Sequence, residues 1–327
     1  MSGNVKYEIL KRLQCAEGAP LSGQQIATEL AISRTAIWKH MQQLKEEGYD
    51  IETVHKKGYI LKQAPDVLDP AKIQAALQTT HFGHVVHYEE VLDSTQPVAH
   101  KLAQEGAPEG TLVICEAQTL GRGRMMRPWH SEKGKGIWMS VILRPDVPTH
   151  KAPQFTLVAA VAVARAIEDM TNVRPAIKWP NDLLINGLKC TGILTEMQAD
   201  PDGVNALIMG IGINANHAQT DFSEDIQTIA TSLKIASGQQ VDRAELVARI
   251  LYYLEQYSAI YVQEGFLNIK REWEAYSCTL GNRVRATTTR DIFVGEAIEL
   301  TDDGVLKIRL DNGEIKGVYS ADITLEN

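Results

Sequence analysis

Gly121-Arg122-Gly123-Arg124-Met125-Met126-Arg127-Pro128-Trp129 is the run on which the reading of this chain turns. Thr111 to Cys115 before it and Ile137 to Leu143 after it are short apolar runs that predict strands, so the segment is a loop held at both ends. Two glycines open backbone space, and three arginines carry rigid forks of hydrogen-bond donors. From Gly121 to Arg144 basic residues exceed acidic ones by five, in a chain whose net charge is -8. Such a local reversal of sign concentrates anions at one place, although a solvated basic loop has the same composition.

Outward from the loop, 327 residues exceed what one hydrophobic core usually serves, so two or three domains are expected. Residues 1 to 63 carry a net charge of +2 and the remainder -10, which leaves the front of the chain as the part compatible with nucleic acid. Four cysteines, Cys15, Cys115, Cys190 and Cys278, lie far apart without paired spacing and predict free thiols in a reducing compartment. No secretory signal or long apolar span is visible, so the expectation is a cytoplasmic protein with no membrane partner.

The front of the chain predicts three short helices. Ser22 starts the second, with Gln25 completing a capping box; Ala31-Ile32 makes a tight turn; Ser33 caps the third, which ends at Gly48. A hairpin follows, Ile51 to Val54 and Tyr59 to Leu61, with Lys56 and Lys57 at its tip. This order predicts a winged helix-turn-helix over residues 1–63. Arg34, Thr35, Lys39, Gln42 and Gln43 would face DNA from the third helix. Ser22, Gln24 and Ser33 at the helix starts and the two hairpin lysines are further candidates. Trp38 is expected to pack inside, and a protein-interaction module is the alternative for the whole unit.

Residues 64–70, with two prolines, read as a linker. Residues 71–277 then predict a large central domain. In it Asp93-Ser94-Thr95-Gln96 opens a helix, where Ser94 or Thr95 could serve as an N-cap or offer its hydroxyl to a polar ligand. Phe155 to Met170 predicts a buried helix. Lys178-Trp179-Pro180-Asn181-Asp182 precedes a strand, Asn186-Gly187 signals a type I′ hairpin turn, and Lys189 begins the returning strand. A helix is expected near Ile226 to Leu233, and a long helical section from Asp242 to Trp273. Residues 278–327 predict a small β-barrel of short strands. A phosphate-binding Walker loop, a complete dinucleotide fingerprint and clustered zinc ligands are all missing from the sequence.

Taken together and in order, Gly121-Arg122-Gly123-Arg124, Lys178 to Asp182, Lys189 before Gly192-Ile193-Leu194, and Gly210-Ile211-Gly212-Ile213-Asn214 resemble the biotin–protein ligases along essentially the full chain. The winged front module is similar to that of the bifunctional form, which is also the biotin operon repressor. The resemblance implies an α+β multidomain fold: a winged helix-turn-helix, a central mixed sheet related to class II aminoacyl-tRNA synthetases, and an SH3-like terminal domain. It implies biotin, ATP and Mg²⁺ as ligands, with biotinyl-5′-AMP as intermediate and corepressor. Implied partners are biotin carboxyl carrier protein, operator DNA, and a second copy of the chain once ligand is bound.

By position, the resemblance carries Arg122, Arg124 and Arg127 over as a loop that folds on the adenylate, and Lys189 as the contact to the biotin carboxylate and α-phosphate. Ser94, Thr95, Gln96, Gln118, Gly121, Gly123 and Gly192 fall to the biotin side. Trp129, Lys178, Asn181, Asp182, Gly212, Asn214 and His217 fall to the nucleotide side, with Asp182 also a metal candidate. Lys189 alone would pass for a strand-end lysine, and Asn181 and Asp182 for turn braces. Two departures stand out: Met125-Met126 replaces the commoner Arg-Gly, and Gln96 replaces asparagine.

Overall fold

The computed structural model describes residues 2–16, 18–54, 57–63, 66–200 and 203–326.

 At the front, α1 (Ser2–Cys15), α2 (Gly23–Glu29) and α3 (Arg34–Glu46) pack around Ile9, Leu10, Leu13, Ile26, Ile37, Met41 and Leu44. Ser22 Oγ accepts from Gln24 N at 3.3 Å and Ser33 Oγ from Ala36 N at 3.1 Å, so both hydroxyls cap helices. The expected capping box does not form, because Gln25 donates to Glu29 one turn on at 2.9 Å. Strands β1 (Asp50–Val54) and β2 (Gly58–Gln63) pair antiparallel as the wing.

The predicted linker is fastened where it is described. Leu68 is fully buried, and its N–H donates to Glu116 Oε1 at 2.7 Å. Asp69 then caps α4 (Pro70–Ala76), which lies against α1.

The central domain is a seven-stranded mixed sheet in the order β3-β4-β5-β9-β8-β7-β6. In chain order its elements are β3 (Val86–Leu92), α5 (Thr95–Gln104), β4 (Leu112–Gln118), β5 (Gly136–Leu143), α6 (Gln154–Thr171), β6 (Ala176–Lys178), β7 (Asp182–Ile185), β8 (Leu188–Asp200), β9 (Gly203–Asn214), α7 (Leu233–Ser237), α8 (Arg243–Glu264) and α9 (Leu267–Tyr276). Only the β3–β4 pair is parallel, with α5 as its crossover. Side chains alternate across the sheet. Leu112, Ile114, Met139 and Val141 belong to the core under α6 and α8, whereas Val113, Ile142 and Ile208 meet Ala99 and Ala103 of α5.

Helix α6 is apolar almost all round because it is covered on both sides, by the sheet and by α8 and α9. Asn186 and Gly187 have φ of 52° and 80°, as the hairpin turn between β7 and β8 requires. Two helix expectations are corrected. Ile226 to Ile229 form turns, Ala230 makes a parallel bridge to Lys189, and helix begins only at Leu233, where Ser232 Oγ accepts from Ile235 N at 3.1 Å. The long section from Asp242 breaks at Gly265, where φ is 83°, to give α8 and α9.

The terminal domain is a five-stranded antiparallel sheet: β10 (Arg283–Thr287), β11 (Ile292–Leu300), β12 (Leu306–Leu310), β13 (Ile315–Val318) and β14 (Asp322–Leu325). The last strand was not expected from the sequence. It pairs with β10 and closes one side of the small core. Gln154 Nε2 to Asp302 O at 2.9 Å and Trp179 Nε1 to Gly304 O at 3.3 Å bind this domain to the central one. Among the described residues no helix is long and apolar enough to cross a membrane.

Candidate active site and DNA interface

The ends of β4, β8 and β9, the basic loop, the turns after Asn214 and strand β14 enclose a cleft of about 900 Å³. Every residue carried over to the biotin and nucleotide sides lines it except Gly121. Gly121 shapes the loop instead: a Cβ there would lie 2.4 Å from Trp129 O, the carbonyl of the loop's far end.

At one end a buried polar network converges. Ser94 caps α5 through Gln96 N, and Thr95 N donates to Gln118 Oε1 at 2.9 Å. Thr95 Oγ1 and Ser140 Oγ are 2.7 Å apart, and Ser140 Oγ donates to Gln96 Oε1 at 2.9 Å. Gln118 Nε2 reaches Ser131 Oγ at 2.9 Å. The two readings of Ser94 and Thr95 are therefore compatible, since the helix start that needs a cap also lines the cleft. Gln96 reaches farther than the sequence suggested: its amide donates to Leu194 O and to Glu196 Oε2, both at 3.2 Å. Glu196 also meets His100 Nε2 at 2.9 Å and Arg122 Nη2 at 3.1 Å. Sequence reading missed Ser140, a lone polar residue in the apolar strand β5, and Glu196, mid-strand in β8 between Thr195 and Met197.

The middle of the cleft has a floor without side chains. An added Cβ would meet Trp129 at 2.9 Å from Gly192 and 2.5 Å from Gly212, so the indole lies directly on those two glycines. Lys189 Nζ stands 5.2 Å from the ring centroid, a cation over an aromatic face. Trp129 Nε1 is the indole atom nearest Gly212, and it is buried with no hydrogen-bond partner in the described structure. Trp138 meets Trp129 edge-on at 6.4 Å and His217 at 6.1 Å, and His217 stacks on Phe222 at 5.0 Å. Burial pulls the His217 imidazole down to about 4, so it is neutral at physiological pH.

Charge is concentrated beside this floor. Asp182 is buried, with Oδ1 2.8 Å from Lys189 Nζ and Oδ2 3.5 Å from Lys178 Nζ. The shorter contact is an ion pair without hydrogen-bond alignment, which leaves Oδ1 with unused acceptor capacity. Arg124 Nη1 donates to Asn181 Oδ1 at 2.8 Å, and Asn181 Nδ2 to Ile193 O at 3.0 Å. Burial draws the Arg124 guanidinium below its ordinary pKa without discharging it.

Within the loop, Gly123 N donates to Arg127 O and Trp129 N to Gly121 O, both at 2.8 Å, and these bonds close it on itself. Met125 and Met126 have φ of 55° and 59°, a left-handed conformation that costs an ordinary residue on the order of 1–2 kcal/mol. The methionines adopt the turn that glycine would have made easier. Both side chains are exposed.

On the front domain, Arg34, Thr35, Lys39 and Gln43 are exposed on α3, Gln42 is half-buried, and Ser22, Gln24 and Ser33 lie at or beside helix starts. Lys57 is exposed at the wing, and Lys56 lies outside the described residues. Trp38 corrects the sequence reading. It is 53% exposed on α3 and contributes nothing to the core of Ile37, Met41 and Leu44. Its position beside Ile37 suggested packing, but the helical turn sends adjacent residues about 100° apart.

Comparison with known proteins assigns all three domains. Residues 88–214 match the biotin/lipoate A/B protein ligase family, residues 6–60 a helix-turn-helix domain, and residues 279–325 the biotin protein ligase C-terminal domain. The bifunctional ligase/repressor BirA of Bacillus subtilis (strain 168) is 47% identical over 325 residues, covering 99% of this chain and all of the relative. The protein of the same description from Escherichia coli (strain K12) is 29% identical over 301 residues, or 89% of this chain and 91% of that one. Among solved structures, the biotin protein ligase of Aquifex aeolicus in complex with biotin and ATP superposes with a TM-score of 0.65 at 28% identity. That match covers 74% of this chain and 99% of the other. By similarity along its whole length, from the winged front to the last strand, the chain belongs to the biotin protein ligase family, in its bifunctional ligase/repressor branch.

Proposed function

We propose that the protein is an ATP-dependent biotin–protein ligase that also represses transcription of biotin genes, with biotinyl-5′-AMP as both intermediate and corepressor. The observation that carries this reading is the meeting, in one cleft, of Arg122, Arg124, Lys178 and Lys189 over the glycine floor of Gly192 and Gly212. A carboxylate and a nucleotide phosphate repel each other in water. Fixed cations between them remove that repulsion and stabilise the charge that grows on the phosphoryl oxygens.

In the first half-reaction a biotin carboxylate oxygen bonds to the α-phosphorus and pyrophosphate leaves. In the second, a carrier lysine amine bonds to the acyl carbon, AMP leaves, and one proton is released. Lys189 stands where both anions would meet, and Arg124 and Arg122 approach from the loop. The hydroxyl and amide network of Thr95, Gln118 and Ser140 matches the donor and acceptor needs of a ureido ring. Trp129 and His217 supply apolar faces suited to adenine.

Asp182 fits a magnesium ligand through the unused acceptor capacity of its buried Oδ1. No cluster of three or more His, Cys, Asp or Glu suited to a metal occurs among the described residues, so the nucleotide's phosphates would complete the shell. Bound there, Mg²⁺ supplies charge neutralisation at the phosphates. The exposed face of α3 and the wing lysines suit operator DNA, biotin carboxyl carrier protein is the acceptor, and adenylate-loaded copies pair as dimers. The reducing compartment expected from four unpaired thiols suits a cytoplasmic enzyme.

Incubation with ATP, Mg²⁺ and either biotin or lipoate, followed by mass measurement of the retained adenylate, tests the reading. Biotinyl-AMP is expected. Lipoyl-AMP alone would overturn the substrate, and no adenylate at all would overturn the activity.

A further inference from the structure

The basic loop does not hold its closed position alone. Three consecutive residues just before and at the start of β14 take hold of it. Arg124 Nη2 donates to Ser320 Oγ at 2.8 Å, Arg124 Nη1 to Ala321 O at 3.2 Å, and Arg127 Nη2 to Asp322 Oδ2 at 2.6 Å. These contacts join the loop's only two arginines beyond Arg122 to a domain almost 200 residues away in the chain. Strand β14 also lines the cleft from Asp322 to Leu325, so it forms one wall while holding the cover.

We propose that Ser320, Ala321 and Asp322 are the catch of this cover: the terminal domain positions the loop for ligation, and Asp322, acting through Arg127, sets how long the acyl-adenylate is retained. The inference rests on the functional reading above and deepens it. Two features make a catch necessary. The loop turns through two left-handed methionines, so its closed form is not one its own backbone favours. Its internal bonds, Gly123 to Arg127 and Trp129 to Gly121, fix the hairpin's shape but do not fix where it lies. Only contacts from outside the loop do that. Arg122 to Glu196 anchors the near end on β8, Arg124 is shared between Asn181 of the central domain and Ser320 and Ala321 of the terminal one, and Arg127 is held by Asp322 of the terminal domain. Release of a bound adenylate requires the tip to lift, which breaks the Arg127–Asp322 pair while leaving the biotin-side network intact.

Asp322 is thus a positioning residue, and its effect falls on retention. The test loads full-length protein with biotin, ATP and magnesium and follows biotinyl-AMP release after a chase, with release of biotin alone as the reference. Asp322→Asn should release the adenylate roughly two- to fivefold faster, the range of a partly exposed ion pair, with biotin release unchanged. Asp322→Glu, which keeps a charged acceptor, should remain near the parental rate. Asp322→Arg should release fastest, and adding Arg127→Asp to it should slow release again by restoring an opposite-charge pair. Parental adenylate release from Asp322→Asn would overturn the proposal. So would equal acceleration of biotin release, which would indicate general loosening of the pocket. Failure of the parental protein to form any adenylate would instead remove the functional reading itself, and the catch with it.

Discussion

Lys189 owes its place to a hairpin turn. Asn186-Gly187 returns the chain so that Lys189 opens β8 with its amine beside Asp182 and over Trp129. If Lys189 holds the substrate anions as proposed, alanine there removes a charged hydrogen bond worth on the order of 2 kcal/mol, so Lys189→Ala should slow pyrophosphate release in the first half-reaction roughly thirtyfold. An unchanged rate would make the lysine purely structural. His217 makes a second, independent prediction. Its pKa is lowered to about 4 in the fold by burial, against about 6.5 unfolded, so its contribution is complete above pH 6.5. As pH falls from 6.5 towards 4 the unfolded chain binds a proton that the folded chain refuses, and stability drops by up to about 3 kcal/mol. Urea unfolding of parental protein and His217→Gln at pH 7 and pH 4.5 should show the parental chain losing more. Equal losses would reject the assignment. The cleft residues were legible because glycines and cations recur there in runs. Ser140, Glu196 and Asp322 were not, since each is a single polar residue whose partners come from distant parts of the chain.

At the scale of elements, caps and turns were the readable features because their chemistry is local. Ser22, Ser33 and Asp242 each accept from backbone N–H groups at a helix start, where the sequence placed those starts. Ser33→Ala should therefore destabilise the front domain by about 1 kcal/mol and weaken operator binding while leaving adenylate formation at the parental rate. Loss of adenylate formation in that variant would show the hydroxyl to matter beyond its helix. Elements defined by distant pairing were harder to read. Strand β14 is four residues long and polar at its first position, and it exists because β10 offers an edge. The segment from Ile226 to Thr231 has helical spacing but its turns lead into a bridge to Lys189, whose N–H donates to Ile229 O at 2.8 Å and whose carbonyl accepts from Thr231 N at 2.9 Å. Tertiary pairing overrode the local pattern there.

Across the whole molecule, the short segment after the wing decides whether DNA reader and ligase behave as one body, and its anchor is Arg243. This side chain is fully buried. It donates to Asp66 Oδ1 at 3.0 Å, Asp66 O at 2.7 Å, Glu116 Oε2 at 2.9 Å and Gly136 O at 3.0 Å. Asp66 also accepts from Asn216 at 2.8 Å, next to the cleft residue His217. On the other side, Asp69 pairs with Lys6 of α1 at 3.0 Å, and Lys6 pairs with Glu47 at the end of α3. The buried Lys72 pairs with Asp242 at 2.7 Å. Glu116 would be left buried and Asp66 partly buried without their cation in Arg243→Met, and breaking a buried pair typically costs about 3–5 kcal/mol. A urea midpoint shift equivalent to under 1 kcal/mol would show the network to be dispensable. The same logic separates two truncations. Removal of residues 1–65 keeps Asp66 on Arg243, so operator binding should vanish while biotinyl-AMP still forms. Removal of residues 1–72 takes Asp66 and Lys72 away together and leaves Arg243 and Asp242 short of partners, so the melting temperature should fall well below that of the shorter deletion. If both truncations melt alike, the segment is a tether and not part of the catalytic body.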